Sequence, residues 1–195
     1  MSGDAGRVKP LRVLCLSGSL RKRSGNTALL LAASALAPAS MELRVYGGLG
    51  TLPLFNPDDE AVSLPSVVAA LRDEVGASDA LLIACPEYAH GVPGPFKNLL
   101  DWLVGSLEFP DKPVVLWNAS ARESHHAQDA LREILATMSA RFVESACTTV
   151  PLPGAGCEVG DILGDAAQCR RIADSLSALA GALAGLRADQ CSRHL

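Results

Sequence analysis

The sequence predicts an α/β fold in which a parallel sheet is covered by helices on both faces. Short apolar runs alternate with segments of helical apolar spacing along the whole chain, the order that a string of βα units imposes. The central runs are apolar throughout instead of alternating, as strands buried on two faces must be. No internal repeat or low-complexity segment interrupts the rhythm.

The first strand is expected at 12–16, and a helix at 26–37 ends before Pro38, since proline does not continue a helix. A second strand at 42–46 leads into 47–64, which lacks periodicity and is rich in Gly, Pro and Asp. Pro65 suits the first position of a helix at 65–78, where its missing N–H costs nothing. A third strand at 80–85 precedes a helix at 95–105 opened by Pro95, and a fourth at 114–119 precedes a helix at 126–140. A fifth strand at 141–148 is followed by the Gly- and Pro-rich stretch 151–164 and a helix at 166–185 that Asp165 is placed to cap. Five βα units is the flavodoxin-like number, with strand order 2-1-3-4-5 and helices on both faces. The stretches 47–64 and 151–164 exceed ordinary βα connections, which makes each a functional lid or an interface segment. One domain spans 11–186, between a flexible start at 1–10 and a tail frayed at 187–195.

A chain of 195 residues, 49% apolar, buries a substantial core without disulfides or a structural metal. The net charge of -4, with scattered Lys and Arg, offers no phosphate-backbone stripe, so nucleic acid is not expected as a partner. No apolar run nears the roughly twenty residues that cross a bilayer, and the polar start does not resemble a signal peptide. A soluble, cytoplasmic protein is expected. The six cysteines, Cys15, Cys85, Cys147, Cys157, Cys169 and Cys191, form no CxxC pair or metal-ligand spacing, so no metal site is expected. Cys15 and Cys85 fall within apolar strands and read as core thiols.

In the 2-1-3-4-5 order, ligands sit beyond the carboxyl ends of strands one and three, where the order reverses. After strand one the chain reads Ser17-Gly18-Ser19-Leu20-Arg21-Lys22-Arg23-Ser24-Gly25-Asn26-Thr27. Hydroxyls, backbone N–H groups, a guanidinium and the positive end of a helix dipole converge here, as anion binding requires. Ser19, Arg21, Ser24 and Asn26 are the candidate phosphate contacts. Helix capping by Ser24 and Asn26, with solvated Arg21, Lys22 and Arg23, uses the same groups. Neither GxxxxGK[ST] nor GxGxxG is present, so side chains must share the binding, which suits a monophosphate such as that of FMN.

After strand three comes Pro86-Glu87-Tyr88-Ala89-His90-Gly91-Val92-Pro93-Gly94-Pro95. A loop stiffened by Gly and Pro presents N–H groups to the edge of a flat ring, and Tyr88 adds aromatic surface. These two loops, with Leu52-Pro53-Leu54-Phe55-Asn56, Lys97-Asn98 and Asp101-Trp102, resemble the NADPH-dependent FMN reductase family, which includes chromate and quinone reductases. The resemblance implies FMN held without a covalent bond, NADPH or NADH as hydride donor, and a small-molecule acceptor such as a quinone, free flavin, azo compound or metal oxyanion. It places Ser19, Arg21, Ser24, Gly25 and Asn26 on the phosphate and Pro86, Glu87, Tyr88 and Ala89 along the ribityl chain and ring. The flavin carries the chemistry, so no catalytic side chain is implied, and a homodimer or homotetramer is expected. Lys97, Asn98, Asp101 and Trp102 are read as structural, serving the loop that launches their helix.

The chain departs from the family at two points. Ala89 stands where Asn is common, and the Gly-rich loop after strand four is replaced by Asn118-Ala119-Ser120-Ala121-Arg122-Glu123-Ser124. Ser120 is retained as a ring contact. His90 reads as an exposed loop histidine, and His125 and His126, about 100° apart on a helix, read as a helix start instead of a metal pair. A flavodoxin-type electron carrier and a flavin-binding module without efficient turnover share the fold and are the alternatives.

Overall fold

Six strands form one wholly parallel sheet in the order β2-β1-β3-β4-β5, with the short β6 pairing with β4 beyond the end of β5. The computed structural model describes residues 9–120 and 125–192. The strands are β1 Leu11–Ser17, β2 Met41–Val45, β3 Ala80–Ala84, β4 Pro113–Asn118, β5 Arg141–Phe142 and β6 Thr148–Thr149. The helices are α1 Gly25–Leu36, α2 Pro57–Val62, α3 Ser66–Gly76, α4 Gly94–Val104, α5 His126–Thr137, α6 Val159–Leu163 and α7 Ala166–Ser192. The expected flavodoxin-like order is therefore the observed one.

Strand pleating sorts the core into two layers. Leu82, Ala84, Val115 and Trp117 pack with α1 and α7, while Leu81, Ile83, Val114 and Leu116 pack with α3, α4 and α5. Successive side chains point to opposite faces, so strands without polar positions need helices on both. Each fully buried Leu or Ile contributes roughly 1.5–3 kcal/mol, which is why β3, buried at every position, sits at the centre.

Four features differ from the sequence-based expectation. The fifth strand is interrupted: Glu144–Ala146 forms a 3₁₀ turn between β5 and β6. Side chains take the ladder's partners there. The Ala146 carbonyl accepts from Trp117 Nε1 at 3.2 Å and from the Ser175 hydroxyl, and Leu116 N–H donates to Cys147 Sγ at 3.4 Å. Arg132 on α5 grips the turn through two bonds to Glu144, 2.7 and 3.0 Å. The stretch 47–64 contains α2, begun by Pro57 and capped by Asn56 Oδ1. The stretch 151–164 contains α6, opened by a reciprocal pair between Glu158 and Asp161. Finally, α7 runs to Ser192 where a helix end at 185 is expected, and Arg187 donates to Asp79 at 2.9 Å and to the Lys9 carbonyl at 3.3 Å. Asp165 caps α7 as expected, accepting from Ala167 and Gln168 N–H. Of the start expected to be flexible, residues 1–8 lie outside the described part, as do 193–195 of the tail.

Candidate functional site

The loops after β1 and β3 meet because Gly18 has no side chain. Its N–H donates to the Ala84 carbonyl at 2.9 Å, and a Cβ there would stand 2.3 Å from Cys85 Sγ and 3.1 Å from Cys85 Cα. Burial pushes the Cys85 thiol far above its ordinary pKa, so it packs as a neutral group and supplies no thiolate.

Beyond Gly18 the first loop is built from short-range hydroxyl bonds. Ser17 and Thr27 share one at 2.8 Å, Ser19 N–H donates to Ser17 Oγ at 3.4 Å, and Arg21 N–H to Ser19 Oγ at 3.3 Å. Ser24 is the N-cap of α1, its Oγ accepting from Thr27 N–H at 3.3 Å. The cap orients the loop and leaves the Ser24 hydroxyl proton available to an acceptor. Arg21, Lys22 and Arg23 are exposed. Arg23 pairs with Glu158 at 2.9 Å, and Arg21 and Lys22 make no ion pair among the described residues.

A cavity of about 450 Å3 opens at the carboxyl ends of the strands, lined by Gly25, Asn26, Cys85, Pro86, Glu87, Tyr88, Asn118, Ala119, Ser120 and Leu152 through Ala155. Six expected site residues thus share one cavity: Gly25, Asn26, Pro86, Glu87, Tyr88 and Ser120. Ser19, Arg21 and Ser24 stand on the loop beside it, and Ala89 lies in the exposed turn that follows Tyr88. The decisive polar feature is Asn26 Oδ1, which is buried with no hydrogen-bond partner among the described residues. A buried polar atom left unpaired costs about 1–3 kcal/mol, so it marks a place built for a ligand donor.

Two features of the loop after β3 add to what the sequence suggests. Glu87 Oε2 accepts from Ala127 N–H at 3.0 Å, so its carboxylate caps α5 and offers the cavity only its neighbouring backbone. The turn after Tyr88 is a two-residue reversal, with Tyr88 N–H donating to Gly91 O at 3.1 Å and Gly91 N–H to Tyr88 O at 3.0 Å. Both central residues have positive φ, Ala89 at 50° and His90 at 58°. That backbone favours Asn and Gly, which gives the absent asparagine a conformational meaning. His90 is exposed and stacks on His126 at 4.3 Å, and His126 meets His125 at 4.1 Å. Among the described residues no group of three His, Cys, Asp or Glu is arranged to hold a metal. Ala121, Arg122, Glu123 and Ser124 of the altered loop lie outside the described residues.

Sequence reasoning missed the wall made by Leu152, Pro153, Gly154 and Ala155. It is tied to the first loop by Gly25 N–H donating to Ala155 O at 2.8 Å and by the Arg23–Glu158 pair. Its only advance signal is its excess length and Gly-Pro content. The residues read as structural do brace a strap. Asn98 Oδ1 accepts from Phe55 N–H and Asn98 Nδ2 donates to Pro53 O, both at 2.8 Å. Trp102 Nε1 bonds the same carbonyl at 2.8 Å, and Lys97 pairs with Asp101 along the helix.

A 2-1-3-4-5 sheet with a hydroxyl-rich loop after β1, a Gly-Pro loop after β3 and one cavity between them defines a flavin-binding α/β protein. Residues 11–152 match the model of the NADPH-dependent FMN reductase family, and the chain belongs to that family. It is similar to an NAD(P)H-dependent FMN reductase of Pseudomonas aeruginosa, 38% identical over 129 residues that cover 64% of this chain and 69% of the relative. It is also similar to a quinone reductase of Escherichia coli, 35% identical over 139 residues, 67% of this chain and 72% of the relative. Among solved structures it resembles FerB, a flavoenzyme NAD(P)H:(acceptor) oxidoreductase of Paracoccus denitrificans. The TM-score is 0.66 and the identity 27%, covering 89% of this chain and 94% of that one.

Proposed function

We propose that this chain is an FMN-dependent NAD(P)H oxidoreductase whose acceptor is a quinone, with free flavin, azo compounds and chromate-like oxyanions as further members of the acceptor class. The observation that carries the reading is the cavity where the Gly18–Cys85 contact joins two loops around the buried, unbonded Asn26 Oδ1. FMN, when bound, supplies the ring that accepts hydride from NAD(P)H and delivers electrons onward.

The chain's own part is binding and orientation. Ser19, Arg21 and Ser24 hold the phosphate end with hydroxyls and a guanidinium, and Gly25 and Asn26 line it at the amino end of α1, where Asn26 Oδ1, an acceptor, takes a ligand hydroxyl and not a phosphate oxygen. Pro86, Glu87, Tyr88 and Ala89 border the ribityl chain and ring, Glu87 by backbone alone, and Ser120 stands at the ring edge. Tyr88, half exposed, offers aromatic surface at the mouth. No side chain is assigned a proton-transfer role.

Leu54 and Leu107, 84% and 93% exposed, support a homodimer or homotetramer, to be read by sedimentation of the flavin-loaded protein. Among the described residues no helix is long and apolar enough to cross a membrane, and we place the protein in the cytoplasm, where NAD(P)H is at hand. The deciding experiment is an absorbance spectrum of the FMN-loaded protein under nitrogen before and after NADPH, then after a quinone. Bleaching of the flavin band and its return are expected. Protein that stays colourless after loading, or flavin that NADPH leaves unbleached, removes the proposal.

A further inference from the structure

A second cavity, of about 570 Å3, lies at the amino ends of β3, β4 and β5, at the opposite end of the strands from the flavin cavity. Its size is that of a small-molecule site, roughly 300–1,000 Å3. Three cations reach it from three different elements: Lys112 before β4, Arg141 in β5 and Arg187 in α7.

The cations are not equivalent. Arg187 is committed to Asp79, whose Oδ2 takes Arg187 Nη2 at 2.9 Å and Arg12 N–H at 2.7 Å. Lys112 Nζ donates to a single partner among the described residues, the Ser78 carbonyl at 3.0 Å, and an ammonium has three protons to place. Its charge is opposed by burial and only partly offset by Asp79 and Glu108 at longer range. Arg141 makes no side-chain hydrogen bond or ion pair among the described residues. The two are ladder neighbours, Arg141 N–H donating to Lys112 O at 2.9 Å. One further carboxylate, the exposed Asp111, stands at the rim, so the lining carries an excess of positive charge in a chain whose net charge is -4.

Beside Ser78, Asp79 and Asp111 the wall also carries an apolar part, Pro110, Leu183 and Leu186, facing the same space. We propose that this cavity binds an amphipathic carboxylate of about benzoate size, its carboxylate held by Lys112 and Arg141 and its apolar body resting on Pro110, Leu183 and Leu186. Inorganic phosphate would meet the charges but leave Pro110 and the accessible part of Leu186 uncovered. A neutral aromatic would cover them but bring no counter-charge to Lys112 and Arg141. The carboxylate satisfies both, in a charge-assisted geometry that suits guanidinium and ammonium donors.

The test is calorimetric titration of the FMN-loaded protein with sodium benzoate at fixed ionic strength, with benzamide and inorganic phosphate as the neutral and apolar-free comparisons. Saturable benzoate binding is expected, weakened roughly tenfold or more by Lys112→Met or Arg141→Gln. Benzamide and phosphate should bind at least about tenfold more weakly, the scale of one lost charge-assisted contact. The flavin spectrum should stay unchanged throughout, because the two cavities lie at opposite ends of the sheet. Arg141→Gln changes an exposed side chain and so carries the test even where Lys112→Met fails to fold. Absence of saturable benzoate binding, equal affinity in the variants, phosphate as tight as benzoate, or release of FMN on titration would each overturn the assignment.

Discussion

Gly18 and Cys85 touch at the junction of the two loops, so closely that a Cβ on Gly18 would stand 2.3 Å from the Cys85 sulfur. The sulfur belongs to a short, buried side chain held against Pro86 O at 3.5 Å, so it has little room to yield. Gly18→Ala is therefore expected to push the loops apart, destabilising the protein by about 1–3 kcal/mol and lowering FMN affinity roughly tenfold or more. Adding Cys85→Ala should restore only part of both, since Cys85 Cα itself lies 3.1 Å from the new methyl. Urea midpoints and flavin-fluorescence titrations read the two effects, and a Gly18→Ala variant that binds FMN like the parent sinks the argument.

Asn26 gives effects of opposite sign in the two states. Its Oδ1 is buried with no hydrogen-bond partner among the described residues, so Asn26→Ala removes an unsatisfied acceptor from the apoprotein and a contact to a ligand hydroxyl from the complex. The apoprotein should become no less stable, to within about 0.5 kcal/mol of the helix's own preference for Ala, while the FMN dissociation constant rises roughly tenfold. Thermal melts with and without FMN measure both. A loss of apoprotein stability with unchanged FMN affinity would make Asn26 a helix residue and nothing more.

The turn at Ala89 and His90 is a place where the amino acids disagree with the backbone. Positive φ at a residue with a Cβ costs about 1–2 kcal/mol, and here two such residues follow one another at 50° and 58°. Ala89→Asn and His90→Gly are each expected to raise stability by about 0.5–1 kcal/mol. The first should leave the His90–His126 stack intact, and the second abolishes it. Ala89→Asn that lowers the melting temperature would show that the strain is not there.

How much of this was legible in the sequence depends on where the information sits. The apolar runs of β1, β3 and β4 are local and unambiguous, and their positions determine which loops converge. Interruption of the fifth strand was not legible, because it is caused by Trp117 and Ser175 taking the Ala146 carbonyl, contacts between residues far apart in the chain. For the same reason the bond from Ala127 N–H to the Glu87 carboxylate, which ties the loop after β3 to α5, was not legible. The Leu152–Ala155 wall was visible only as an over-long Gly-Pro stretch, since what brings it to the cavity are backbone bonds to distant residues, Gly25 N–H to Ala155 O and Leu152 N–H to Ala119 O. Arg187 could not be read as the anchor of α7, because its partner Asp79 is 108 residues away.

The core thiols make the fold sensitive to alkali in a way that can be separated from other titrations. Burial pushes the Cys15 thiol from an ordinary 9.0 up to about 12. Below pH 9 both folded and unfolded chains keep the proton and stability is unaffected. Above pH 9 the unfolded chain loses it and the folded chain does not, so stability falls as pH rises, by on the order of 1 kcal/mol for this one thiol at pH 10. Cys85 and Tyr46, both raised by burial, act in the same direction. Lys112, lowered by burial, acts in the opposite one, because there the unfolded chain binds the extra proton. Comparison of the parent with Cys15→Ala isolates the single group: urea midpoints at pH 8, 9 and 10 should fall less steeply in the variant, whatever its starting stability. Parallel curves would mean that the Cys15 thiol ionises as readily in the folded sheet as in the unfolded chain, and that β1 is wetter than its packing between α1 and β3 implies.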